Sequence, residues 1–192
     1  MLLATLLIAL TPVQHAKVDD WKPNRDAEIA LWNFATCEVR HNRNLARDVL
    51  DAEPLTPEAQ ALTLKLINAP GCSWGWGPIK AKNVAVRWAL ANQLYVTSGK
   101  AAPAPAGTPP KVANGEIYAL GACVAHRDPV GSDAFVRTER QSKAEQAAFK
   151  RIVPAINACA GKTKLDLSGA AMHGVLSEGL YRMRGAAAQG TN

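Results

Sequence analysis

The chain reads as all-α: two tandem disulfide-stapled bundles of three to four short helices related by internal duplication. Three observations lead there. No segment alternates apolar and polar residues as a strand would, and apolar residues between breakers recur at helical spacing. The four cysteines fall at matching places in two halves. With 48% hydrophobic and 20% charged residues over 192 positions, the composition is that of a globular chain and excludes disorder and collagen.

Met1 to Leu10 is almost wholly apolar, Thr11 and Pro12 follow, and Gln14, His15 and Ala16 offer signal peptidase a small residue. Residues 1–16 therefore read as a signal peptide cut after Ala16, although no Lys or Arg precedes the apolar run. An uncleaved short anchor is the alternative, but the run falls short of the about 20 residues a bilayer crossing takes. No stable membrane span is expected once the leader is removed.

The first copy occupies residues 17–98. Ile29, Trp32 and Val39 mark a helix that ends near Asn42, and Leu45, Val49 and Leu50 mark a short second one before Pro54. Thr56 as cap with Pro57 at the first position starts a third, burying Leu62 and Leu66. A fourth runs from about Lys82 to Val96, with Val84, Trp88, Ala91 and Tyr95 on one face. Residues 99–115 hold Pro103, Pro105, Pro109 and Pro110 among Ala, Gly and Thr, which makes an extended, semi-rigid linker. In the second copy, residues 116–184, Ser142 and Glu145 form a capping box ahead of a helix that buries Phe149, Ile152 and Ile156. Pro154 is expected to kink or end that helix. Ser168 caps a last helix through Met172, Leu176 and Leu180, and residues 185–192 read as a flexible tail.

Aligning Cys37 with Cys123 places Trp32, Phe34, Arg40, His41 and Asn42 on Tyr118, Leu120, His126, Arg127 and Asp128. The next cysteine follows 35 residues later in the first copy and 36 in the second. Counting back from Tyr95 and Tyr181 pairs Leu94 with Leu180, Leu90 with Leu176, Ala85 with Ala171 and Arg87 with His173. Cys37, Cys72, Cys123 and Cys159 form no CxxC, no CxxCH and no paired-His spacing, so zinc, thioredoxin chemistry and haem are not indicated. No metal and no cofactor are expected. Four cysteines permit three connectivities. Cys37–Cys72 with Cys123–Cys159 is preferred, because each bridge then closes a loop inside one copy, worth about 3 to 4 kcal/mol, and lets either copy fold alone.

Two constellations carry chemistry. Where the first copy has Arg40 and Arg87 the second has His126 and His173, so each copy would carry a basic pair on one rim. Guanidinium forks would hold a carboxylate or phosphate, and the His pair would sense pH or take a metal. The alternative is that each caps carbonyls or pairs with a carboxylate such as Asp48 or Asp133. The other is Trp74 and Trp76 in Cys-Ser-Trp-Gly-Trp-Gly-Pro, a stacking surface for sugar rings or a partner protein, or else a cover for the disulfide and the bundle mouth. All five Trp lie between Trp21 and Trp88. The basic cluster Arg137, Arg140, Lys143, Lys150 and Arg151, interrupted by Glu139 and Glu145, reads as a solvated face. The net charge of +6 is spread among 16 carboxylates, a pattern that does not point to nucleic acid. No catalytic motif accompanies the histidines, so no catalytic residue is assigned.

Cys123-Val-Ala-His-Arg-Asp-Pro129, a second cysteine 36 residues after the first, and Gly174-Val-Leu-Ser-Glu-Gly-Leu-Tyr181 resemble a group of small uncharacterised exported proteins of Gram-negative bacteria. The first copy departs from the pattern, with Asn42 and Arg43 in place of Asp128 and Pro129. The resemblance implies a periplasmic or secreted location and no mechanism. The expected function is a non-catalytic binding or structural protein of the envelope, whose partner is an unidentified protein or envelope ligand. A small hydrolase using His126 and His173 is the alternative, as is an inhibitor or immunity-type protein for an envelope enzyme.

Overall fold

The computed structural model describes residues 25–72, 82–105, 107–108, 117–161 and 167–189, with the side chains of the last helix as far as Gly185. Among them are eight helices and no strand: α1 (Arg25–His41), α2 (Arg43–Asp51), α3 (Pro57–Ile67), α4 (Asn83–Thr97), α5 (Ile117–Arg127), α6 (Pro129–Val136), α7 (Lys143–Ala160) and α8 (Gly169–Gln189). The starts of α2, α3 and α4 precede those of α6, α7 and α8 by one constant interval.

The helices begin where the caps place them. Thr56 Oγ1 accepts from the Ala59 N–H at 3.2 Å, and Pro57, which has no N–H in need of an acceptor, opens α3. Ser142 Oγ accepts from the Glu145 N–H at 3.0 Å, but the return bond from Glu145 goes to the Gln141 N–H at 2.6 Å instead of to Ser142. Ser168 Oγ accepts from the Ala171 N–H at 3.1 Å and starts α8. The residues just ahead of the Thr56 and Ser142 caps, Leu55 and Gln141, both adopt left-handed backbone, φ 65° and 59°.

Pro154 does not end α7, which continues to Ala160. Proline deprives the carbonyl four residues earlier of its donor, here that of exposed Lys150, which solvent can serve. The flexible tail expected after Arg184 is corrected too, since α8 runs to Gln189 through an Ala-rich stretch of high helix propensity. Phe149, read as a buried residue, is exposed, as is Ile29. In α1 the buried face instead uses Leu31, Phe34, Ala35 and Val39.

The cysteines pair as Cys37–Cys72 and Cys123–Cys159, one staple per half. Two apolar clusters form. One gathers Leu31, Phe34, Val49, Leu50, Leu66, Leu90 and Leu94 from α1 to α4. The other gathers Leu120, Val124, Phe135, Ile152, Val175, Leu176 and Leu180 from α5 to α8, and takes in Trp88 and Tyr95 from α4. Each such side chain contributes about 1.5 to 3 kcal/mol by leaving water. The halves therefore share a boundary at which α4 serves both cores. The approach there is close: a Cβ on Gly174 would lie 2.4 Å from Trp88 Cβ, and one on Gly121 would lie 2.3 Å from the Val175 carbonyl oxygen. Only glycine lets α8 come that near its two neighbours.

The first part of the linker lies against the second half. Arg184 Nη2 donates to the Lys100 and Ala101 carbonyls at 3.0 Å each, Arg137 Nη2 to Lys100 at 2.9 Å, and Gly107 O lies 3.0 Å from His126 Nε2.

Candidate functional site

The constant interval that relates the helix starts gives each residue at the α4–α8 boundary a counterpart. Arg87 and His173 are one such pair, and Asn92 and Glu178 are another. The two resulting sites differ in what fills them.

At the first, Arg87 is buried and fully engaged. Its Nη2 lies 2.7 Å from Glu178 Oε1 of α8, and its Nε donates to the same oxygen at 2.9 Å. Nη2 also donates to the Leu50 and Ala52 carbonyls at 2.8 and 3.0 Å, and Nη1 to that of Val49. These carbonyls end α2, where cations are favoured by the helix dipole and by acceptors without intrahelical donors. Arg182 joins from α8, its Nε 3.2 Å from Glu178 Oε1. Tyr118 borders this site, with its hydroxyl pKa raised chiefly by burial and then by the Glu178 charge. About 50 Å³ of free space remains.

At the second, His173 stands in α8 between Phe135 and Trp32, with ring centroids at 5.2 and 5.8 Å. Burial pushes its pKa well down and Arg140 adds to this, while the Thr138 carbonyl favours a proton on the ring without prevailing. The imidazole is therefore neutral at pH 7. Asn92 Nδ2 donates to the Val136 carbonyl at 3.0 Å and lies 3.0 Å from Ser177 Oγ and 3.5 Å from His173 Nδ1. The two Asn92 amide hydrogens go to the Val136 carbonyl and Ser177 Oγ, so Nδ1 at 3.5 Å receives none of them. Nε2 has no partner within hydrogen-bonding geometry.

Beside this ring opens a cavity of about 340 Å³, walled by α1, α4, the turn between α6 and α7, and α8. Trp32, Ile29 and Val96 supply apolar wall. Arg140 borders it, its Nη2 2.5 Å from Glu28 Oε1, its Nη1 3.3 Å from Glu145 Oε1, and its guanidinium 5.8 Å from the centre of the Trp32 ring. Gln141 Nε2 donates to Glu28 Oε2 at 2.9 Å, so the left-handed turn before α7 is tied to α1.

The basic rims expected from the sequence do not form. Arg40 is exposed near the end of α1 and Arg87 is buried in α4, while His126 meets the linker and His173 is buried among aromatics. Positions 87 and 173 sit on the inner faces of the central helices, whereas 40 and 126 sit near the ends of outer ones, which separates each pair. Arg87 caps carbonyls, as its structural alternative held, but of α2 and with Glu178 as the carboxylate. The solvated-face reading of the basic cluster fails at Arg140, whose side chain is 17% exposed and bridges two glutamates. Trp74 and Trp76 lie outside the described residues.

Sequence reasoning did not single out Glu28, Asn92 or Gln141, and it placed Trp32 only as an apolar repeat position. The available signal was that Glu28 and Asn92 are polar residues on otherwise apolar helical faces. Among the described residues no group of three or more His, Cys, Asp or Glu could hold a metal ion, and no helix is long and apolar enough to cross a membrane. Comparison of the chain with family models, curated proteins and solved structures finds no match.

Proposed function

We propose that the chain is a non-catalytic binding protein of the bacterial envelope, exported by its leader, and that the cavity beside His173 takes a small molecule. The observation that carries this reading is the cavity itself: about 340 Å³, within the range of small-ligand sites, with a buried imidazole nitrogen left without a partner. A neutral His173 flanked by aromatic rings, with no carboxylate among its hydrogen-bond partners, suits recognition better than acid–base turnover. Export is supported by the apolar run Met1 to Leu10 and by the two disulfides, which persist in oxidising compartments. Descent from a duplicated unit is part of the same proposal. It is supported by the constant interval between helix starts and by the shared left-handed residue ahead of the Thr56 and Ser142 caps.

A fragment screen read by the Trp32 indole and His173 imidazole NMR signals tests the binding site. Hits should move both signals together. His173→Arg combined with Asn92→Glu, which places an Arg–Glu pair at the positions matching Arg87 and Glu178, should fill the cavity and abolish the shift of the Trp32 signal. Shifts that survive the double substitution, or hits that leave both signals unmoved, would refute the site.

A further inference from the structure

Two buried N–H groups belonging to residues that border this cavity have no hydrogen-bond partner: Trp32 Nε1 and Arg140 Nε. An unmade buried donor costs about 1 to 3 kcal/mol, so two around one space call for acceptor atoms. The unpartnered oxygens nearby, Glu28 Oε1 and Glu145 Oε1, make no matching demand for a donor, since both lie within ion-pair distance of the Arg140 guanidinium.

Charge narrows the choice. Arg140 faces two carboxylates, Glu28 and Glu145, Arg137, also on the cavity, pairs with Asp133 at 2.9 Å, and Arg25 and Glu139 add one charge of each sign to the lining. An entering anion would meet the buried Glu28 carboxylate, and an entering cation would meet Arg140 while leaving both donors unmet. The counterpart site supports a ligand supplied from outside. There Arg87 and Arg182 meet Glu178, and here His173, Val96 and Asn92 stand at the matching positions, leaving room. The polar groups that the chain supplies for itself in the first half would be supplied from outside in the second.

We propose that the cavity binds an uncharged small molecule that presents a hydrogen-bond-acceptor oxygen on an apolar body, the oxygen held by the Trp32 and Arg140 N–H groups. The proposal rests on the reading of this cavity as a ligand site. Ile29, Val96 and Val136 receive the apolar part.

Benzamide, benzoate and benzamidinium have nearly the same shape and differ in charge, which makes them suitable probes. Titrated into the full chain at pH 7 and followed by the Trp32 and His173 signals, benzamide should bind about tenfold or more tighter than either ion, because each ion would bring an unmatched charge out of water. Trp32→Phe keeps an aromatic wall and removes one donor, and should weaken benzamide severalfold with the thermal transition little moved. If benzoate or benzamidinium binds tighter than benzamide, or Trp32→Phe leaves benzamide affinity unchanged, the acceptor proposal is overturned while the ligand site stands. If none of the three moves either signal, and the broader fragment screen also leaves both unmoved, the cavity holds water only and both readings fall together.

Discussion

The space beside Tyr118 in the first half is closed by the chain's own guanidinium, and the matching space beside Trp32 in the second half is open. The scaffold around them is alike: a turn with a left-handed residue, a capped helix, a central helix and an aromatic from the other half. Three positions set them apart, Arg87 against His173, Asn92 against Glu178 and Val96 against Arg182. An imidazole is shorter than an arginine side chain and, when neutral, needs no buried carboxylate. The exchange thus turns a structural plug into a cavity without moving a helix. The same framework position carries a buried ion pair in one half and borders a cavity in the other.

The sharpest way to break this comparison is to truncate both residues. Arg87→Ala leaves the buried Glu178 carboxylate and the end of α2 to the more exposed Arg182 alone, and should cost about 3 kcal/mol in denaturant unfolding. His173→Ala removes no charge and widens an existing cavity, so about 1 to 3 kcal/mol is expected. Equal losses would show that the two sites do the same work.

A smaller effect sharpens it through pH. The folded-state pKa of His173 lies below its ordinary 6.5, mainly by burial and then by Arg140. The stability this reflects is fully present above about pH 6.5 and is lost as pH falls below that value, because the unfolded chain takes up a proton that the folded one refuses. The slope should reach up to about 1.4 kcal/mol per pH unit. Glu38 acts in the opposite sense, since burial raises its carboxyl above 4.5, so acid relieves it. His173→Gln isolates the first contribution: unfolding measured from pH 7.5 to 5.5 should lose that slope, whereas an unchanged slope would place the titrating group elsewhere.

The smallest effect concerns the turns. Leu55→Gly relieves left-handed backbone at φ 65° on an exposed residue and should stabilise by up to about 1 kcal/mol. Gln141→Gly should give less or nothing, because it also removes the bond to Glu28. Identical gains in the two variants would mean that the Gln141 tie does not matter to the second half.

The helices were legible in the sequence because their signals are local: Thr56-Pro57, Ser142-Lys143-Ala144-Glu145 and the apolar recurrences of α4 and α8 need only neighbouring residues to act. The one-staple-per-half pairing was legible too, since loop closure depends on separation along the chain. The reading failed where a residue's fate depended on what lay across from it, as at Phe149. It failed for the same reason at the site, where Arg87 and His173 were rightly chosen as an exchange but given the wrong partners. The amino-acid sequence by itself determined the all-α class, the caps, the cysteine pairing and the Arg-for-His contrast. Only the tertiary structure decided that Arg87 would meet Glu178 and the end of α2, and that His173 would meet Trp32, Asn92 and a cavity. Those contacts join residues that nothing local links, and they exist because glycines at 121 and 174 let α8 settle against α5 and α4.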